Sequence, residues 1–243
     1  DRTELCIRRN HNRYGCALNF KMTTTQSAHW HKPHEGEHRL AVSLVVVLVI
    51  ILQFLLPKHL SLGIQNYICG LEALLLISLI VLTPSRIGKH HAPTRNLSIA
   101  LTSIMTISNI SSAVKLIDGL VQGTIKDANM LLLSGGSIWM ANIVIFSLWF
   151  WELDRGGPGS RAEARKPVPD FLFPQMSSPQ YCEKSWHPTF FDYLYISVTN
   201  ASAFSPTDTA PLSRWAKILM MIQSLTSLVT VGLVIARAVN ILK

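Results

Sequence analysis

Long uncharged apolar stretches alternate along this chain with short charged ones. The first, Leu40 to Leu56, is apolar on every side and stops at Pro57. Its 17 residues, at ~1.5 Å each, just reach across a hydrocarbon layer of ~30 Å. The second, Tyr67 to Leu82, holds one charge, Glu72, and ends at Pro84. The third, Asn96 to Val121, mixes Ile99, Leu101, Ile104, Ile107 and Ile110 with hydroxyl residues, and carries Lys115 and Asp118 near its end. The fourth, Ala128 to Trp151, closes on an aromatic anchor, Trp149-Phe150-Trp151. The fifth, Phe190 to Phe204, is short and polar in its second half, and Ser205-Pro206 stops it. The sixth, Ile218 to Leu242, is interrupted only by Gln223 and Arg237.

This pattern predicts an all-α integral membrane protein with five strong transmembrane helices and a sixth short, broken or re-entrant segment. Composition agrees: 49% of residues are hydrophobic, 15% are charged and mean hydropathy is +0.29. A soluble domain carries about 25% charge. The +8 net charge reads as cytosolic loops meeting anionic headgroups rather than nucleic acid. Cys6, Cys16, Cys69 and Cys182 have neither metal-ligand nor disulfide-framework spacing.

Residues 1–39 read as a polar, basic, His-rich tail, with Met22 as initiator and 1–21 as an extension. No cleavable signal peptide is expected. Residues 40–243 read as one transmembrane helical domain with a flexible polar loop at 152–188. Lys and Arg number seven in 1–39, three in 83–95 and five in 152–188, against one each in 57–66 and 123–127. The positive-inside rule therefore predicts a multi-pass cell-membrane protein with a cytosolic N-terminus. It does not decide run five: Arg214 and Lys217 favour a re-entrant loop, whereas Arg237 and Lys243 favour a crossing.

Run five and its sequel carry the candidate chemistry. Irregular backbone at membrane depth is tolerated where protein or water satisfies it, and ion pathways use such breaks. Asn200, Ser202, Ser205, Thr207 and Asp208 would supply oxygens there. The alternative is an interfacial turn capped by Thr207 or Asp208. Lys115 and Asp118, three apart on one helical face, are expected to pair, and Glu72 to meet Lys115 across helices. Asn142 and the set Gln223, Ser224, Thr226, Ser227 and Thr230 read as hydrogen-bonding glue between helices. Glu152, Asp154 and Arg155 read as an ion-pair cluster fixing the end of span four, with Gly156-Gly157 allowing a sharp turn. Glu35, Glu37 and His29, His31, His34 and His38 read as a solvated tail, with metal binding the alternative.

The segments Phe150 to Pro158 (FWELDRGGP), Asp170 to Gln175 (DFLFPQ) and Asp192 to Lys217 resemble an uncharacterised family of small prokaryotic multispanning membrane proteins. The likeness covers about residues 22–243 and implies a topology, without an activity. A weaker similarity links 190–241 to the pore region of potassium channels: a short aromatic helix, a Ser/Thr loop, an acid, a proline and a last span. It would place a filter near Asn200 to Asp208. The Gly-Tyr-Gly of such filters is missing, and Ala203-Phe204-Ser205-Pro206 stands in its place.

The expectation drawn from these features is a channel-like or transporter-like protein moving a small ion or solute between span three and runs five and six. Asn200, Ser202, Ser205, Thr207, Asp208, Lys115 and Asp118 would line the path. Its surroundings are the lipid bilayer, and small residues such as Ala201, Gly135 and Gly232 would suit a homo-oligomer. No cofactor, metal, nucleic acid or catalytic residue is assigned. The other classes are a structural or assembly membrane protein, and an intramembrane metal-dependent enzyme using Glu152, Asp154 or the histidines.

Overall fold

A computed structural model describes residues 30, 32–83, 86–88, 91–125, 127–183, 185–202 and 208–241. It is mostly helical. Helix α1 spans Arg39–Phe54, α2 Gln65–Leu82, α3 Ala92–Val121 and α4 Ala128–Leu153. A polar segment follows, with short helices α5 (Pro158–Ala162) and α6 (Pro174–Ser177), before α7 (Phe190–Ser202) and α8 (Arg214–Ile241). Four helices, α2, α3, α4 and α8, are long and apolar enough to cross a membrane. The expectation of five strong spans is therefore met at four. Helix α1 has 16 residues, because the run turns at Leu55 and Leu56 ahead of Pro57 instead of continuing as helix.

Local chemistry explains the helices. Asp127 caps α4 by accepting from the N–H groups of Asn129 and Met130. The hydroxyls of Thr102, Ser103, Thr106 and Ser111 in α3 donate to the carbonyls of Ser98, Ile99, Thr102 and Ile107, four residues back. A hydroxyl satisfied by its own helix can lie in an apolar surrounding without a partner from elsewhere.

Helix α4 is central, packing against α1, α3, α7 and α8. Two apolar cores lie along the bundle. One contains Phe150, Trp151, Phe171, Phe173, Phe190 and Tyr193 at the end carrying residues 154–189, called proximal below. The other contains Leu56, Leu60, Leu116, Ile125 and Leu131 at the distal end. Two antiparallel two-residue strand pairs, both proximal, tie the connections together. Strand β1 (Glu37–His38) pairs with β2 (Arg86–Ile87), and β3 (Phe171–Leu172) with β4 (Ala210–Pro211).

The second pair decides the course of run five. Helix α7 begins at the proximal end, where the Phe190 N–H donates to Glu37 Oε2 at 2.8 Å. Helix α8 begins at the same end, with Trp215 Nε1 donating to Asp170 Oδ1 at 2.9 Å and the Leu212 N–H to the Asp170 carbonyl at 2.8 Å. Helix α8 then runs the length of the bundle: Arg237 reaches the Gly123 and Ile125 carbonyls at the distal end. The chain between 190 and 211 thus enters the bundle and returns to its starting end. The 13 residues of α7 extend ~20 Å at 1.5 Å each.

Candidate functional site

The inner end of α7 is held by side chains. Asn200 Nδ2 donates to the Met220 carbonyl at 2.9 Å and to Gln223 Oε1 at 2.8 Å, and its Oδ1 accepts from Ser224 Oγ at 2.9 Å. Gln223 Nε2 donates to Ser197 Oγ at 2.6 Å, and Ser197 Oγ donates to the Ile143 carbonyl of α4 at 2.6 Å. Asn142 joins Ser227 at 3.0 Å. The glue expected of Asn142, Gln223, Ser224 and Ser227 is present, and α7 is bound to both α4 and α8; Thr226 instead donates to the Ile222 carbonyl of its own helix.

The expected path residues do not form one group. Ser202 donates to the Thr199 carbonyl at 3.2 Å near the inner end of α7. Asp208 is exposed at the proximal end, where the chain has already returned. It shares with Glu183, Asp192, Trp186, Phe191 and Tyr195 an open groove of about 800 Å³. Lys115 and Asp118 lie at the distal end and do not bond to each other. Lys115 Nζ donates to the Ser61 carbonyl at 2.5 Å, while Asp118 accepts from Gln122 at 2.7 Å. A backbone carbonyl of the α1–α2 connection has captured the ammonium group. Glu72 does not meet Lys115 either. It is 0% exposed, and neither carboxyl oxygen has a hydrogen-bond partner. Ser205, Thr207, His29 and His31 lie outside the described residues.

The proximal end holds the densest charge. The segment expected to be a flexible loop buries Arg155 and Arg161 to 1% and 2% exposure. Arg161 Nη2 lies 3.2 Å from Glu37 Oε1, and its Nη1 donates to the Trp151 and Asp154 carbonyls at 2.5 and 3.1 Å. Its guanidinium also lies over the Tyr193 ring, 5.0 Å from the centroid. Burial opposes the charge on Arg161, but Tyr193, Glu37 and Asp154 outweigh it and hold the group more firmly protonated than free arginine. Glu37 Oε2 also accepts from Trp151 Nε1 at 3.0 Å. Asp154 accepts from the Tyr193 hydroxyl at 2.5 Å and the Asp170 N–H at 2.8 Å. Arg155 donates through Nε to the Lys166 carbonyl at 2.8 Å and through Nη1 to the Trp30 carbonyl at 3.2 Å.

The backbone reverses sharply here, with positive φ at Arg155 (52°), Gly156 (84°) and Gly157 (98°). A Cβ on Gly157 would sit 3.0 Å from the Glu152 carbonyl oxygen, so both the turn and the close approach require glycine. Glu152, Asp154 and Arg155 do not form the local ion-pair cluster expected of them; each is bound by partners from elsewhere in the chain. Glu152 accepts from Ser98 at 3.1 Å and lies 3.9 Å from Arg95 Nε.

The cluster fastens the starts of α7 and α8. Glu37 binds the start of α7, and Asp170 binds the start of α8. Buried charges are costly unless paired and hydrogen-bonded; Arg161 is paired with Glu37, whereas Arg155 Nη2 and Arg161 Nε have no hydrogen-bond partner. Sequence reasoning missed Glu37, which it left in a solvated tail. The one available signal was the β1 position before the first apolar run. No group of three or more His, Cys, Asp and Glu placed to hold a metal occurs among the described residues. The chain matches no family model, no curated protein and no solved structure.

Proposed function

We propose that this is a multi-pass membrane protein in which residues 190–211 form a re-entrant element guiding a small ion or solute, with the proximal end cytosolic. The observation that carries this reading is that α7 and α8 start at the same end, so the chain has to come back to that end between Ser202 and Asp208. Backbone that leaves a helix at depth offers carbonyl and hydroxyl oxygens in place of hydration water. The proximal groove with Glu183, Asp192 and Asp208 makes its mouth negative, which favours cations by simple Coulomb attraction. The positive-inside count, fifteen Lys and Arg against two, supports the orientation.

Cation flux into vesicles reconstituted with purified protein tests it. The wild type should conduct a monovalent cation, and Asp208→Asn should reduce that flux. Unchanged flux in Asp208→Asn, or none in the wild type, sinks the reading.

A second reading follows from one specific observation: Asn200, Ser197, Gln223 and Ser224 satisfy one another. On that reading the re-entrant helix is a packing element of a structural or assembly protein. Substitutions there would then change stability and leave every flux untouched.

A further inference from the structure

A second polar site lies at the proximal end, between the start of α1, the end of α2, the start of α3 and the end of α4. Its cavity is lined by Arg39, Thr83, His91, Arg95, Ser98 and Glu152, among others. We propose that this cavity binds the phosphodiester of an anionic phospholipid headgroup. The inference does not depend on the re-entrant segment.

Unspent donors come first. Arg39 is only 8% exposed. Its Nη1 donates to Thr83 Oγ1, yet its buried Nε has no hydrogen-bond partner. The Nε of Arg95, another lining residue, is also without one; Glu152 stands at 3.9 Å from it. Buried guanidinium N–H groups are costly to leave unpaired. Two of them lining one cavity call for an acceptor with several oxygens.

The charge balance sets the ligand's charge. Arg39 and Arg95 bring two positive charges to the cavity, and the buried carboxyl of Glu152 offsets at most one. Arg161, the next cation, is held by Glu37. At least one positive charge is left over, and a phosphodiester monoanion offsets it. The long helix α3 adds its N-terminus to the same cavity. Its N-cap, His91, gives no side-chain capping bond, and Pro93 sits in the first turn, so the positive end of the helix faces an uncapped site. Gly157 borders the same cavity, and a Cβ there would lie 3.6 Å from Arg95 Nε.

The setting selects the lipid source. Leu40, next to Arg39, is 72% exposed, and Val81 and Leu82, next to Thr83, are 72% and 57% exposed. An acyl chain can lie on these apolar side chains while its headgroup sits in the cavity. Free phosphate would gain nothing from them.

The test uses the purified full chain, delipidated in detergent. Short-chain phosphatidylglycerol, short-chain phosphatidylcholine and inorganic phosphate are titrated separately, with Tm and intrinsic Trp fluorescence as readouts. Phosphatidylglycerol should raise Tm saturably, and the other two should do so little. Arg95→Gln, at a partly exposed position, and Arg39→Gln should each weaken apparent affinity roughly tenfold or more. Glu152→Gln, which removes the offsetting charge, should tighten it. Equal stabilisation by phosphatidylcholine, or unaltered affinity in Arg95→Gln, overturns the proposal. Equal stabilisation by inorganic phosphate overturns the lipid source and assigns the cavity to a free phosphate.

Discussion

Glu37 and Arg161, 124 residues apart in the chain, meet at 3.2 Å in a site where their side chains are 8% and 2% exposed. Removing one partner of such a pair leaves the other charge buried and unanswered, at a cost of about 3–5 kcal/mol. Glu37→Ala should therefore lower thermal stability strongly, and it also strips acceptors from Trp151 and Phe190. Glu37→Gln keeps an acceptor for them and should cost less. Thermal unfolding in detergent measures both; equal, small losses would mean the pair contributes little.

The return of the chain to its starting end has a direct readout. Single cysteines at Val168 and Ala210, both exposed near the proximal end, should label from the same side of the membrane. Cysteines at Gln122 and Asn240, exposed at the distal end, should label from the other. Opposite labelling of Val168 and Ala210 would mean that 190–206 crosses.

Asn200 makes bonds to Met220, Gln223 and Ser224 at once. Asn200→Ala should destabilise by about 1–3 kcal/mol, because buried groups on α8 lose their partners. Unfolding in denaturing detergent would register it, and an unchanged transition would argue against the geometry at the inner end of α7.

His34 stacks on His187 with ring centroids 3.9 Å apart, and its Nδ1 accepts from the Gly36 N–H at 3.0 Å. Burial, then His187 and the positive Arg161 and Arg155, push its pKa from 6.5 down to about 4. An unfolded His34 protonates near 6.5, so the folded form is favoured above that pH. That contribution falls as pH drops from 6.5 towards 4, where the Nδ1 acceptor is lost. An NMR titration of His34 should show a midpoint near 4. A midpoint near 6.5 would mean that the 34–37 segment is not seated as described.

Helices α4 and α8 approach closely at Gly135, where a Cβ would sit 2.6 Å from Val234 Cγ2. Gly135→Ala should cost about 1–3 kcal/mol by overpacking, and Val234→Ala should restore much of it. Gly232, with open space around its Cβ position, should accept alanine freely. Tm values for the three variants and the double variant provide the check.

The long helices were legible because apolar runs bounded by Pro57 and Pro84 admit few other structures. The course of run five was not. Arg214 and Lys217 oppose Arg237 and Lys243 in the charge rule, and what decides between them is a two-residue strand pair, Phe171–Leu172 with Ala210–Pro211. A strand so short leaves no periodic trace. The partners of buried charges were equally hidden. Spacing put Lys115 and Asp118 on one helix face, but the Ser61 carbonyl competes for the ammonium. Glu37 looked like one acid among histidines, and only tertiary packing brings it to Arg161 and the first turn of α7.

The β3–β4 pair also makes residues 173–209 a lasso. Its neck is closed by the strand register and by Asp170, which binds both Leu212 and Trp215. A single proteolytic nick in the lasso, for example after the exposed Tyr181, would cut the chain without releasing either half. Both fragments would stay joined through β3–β4 and Asp170 and migrate together until detergent or heat opens the neck.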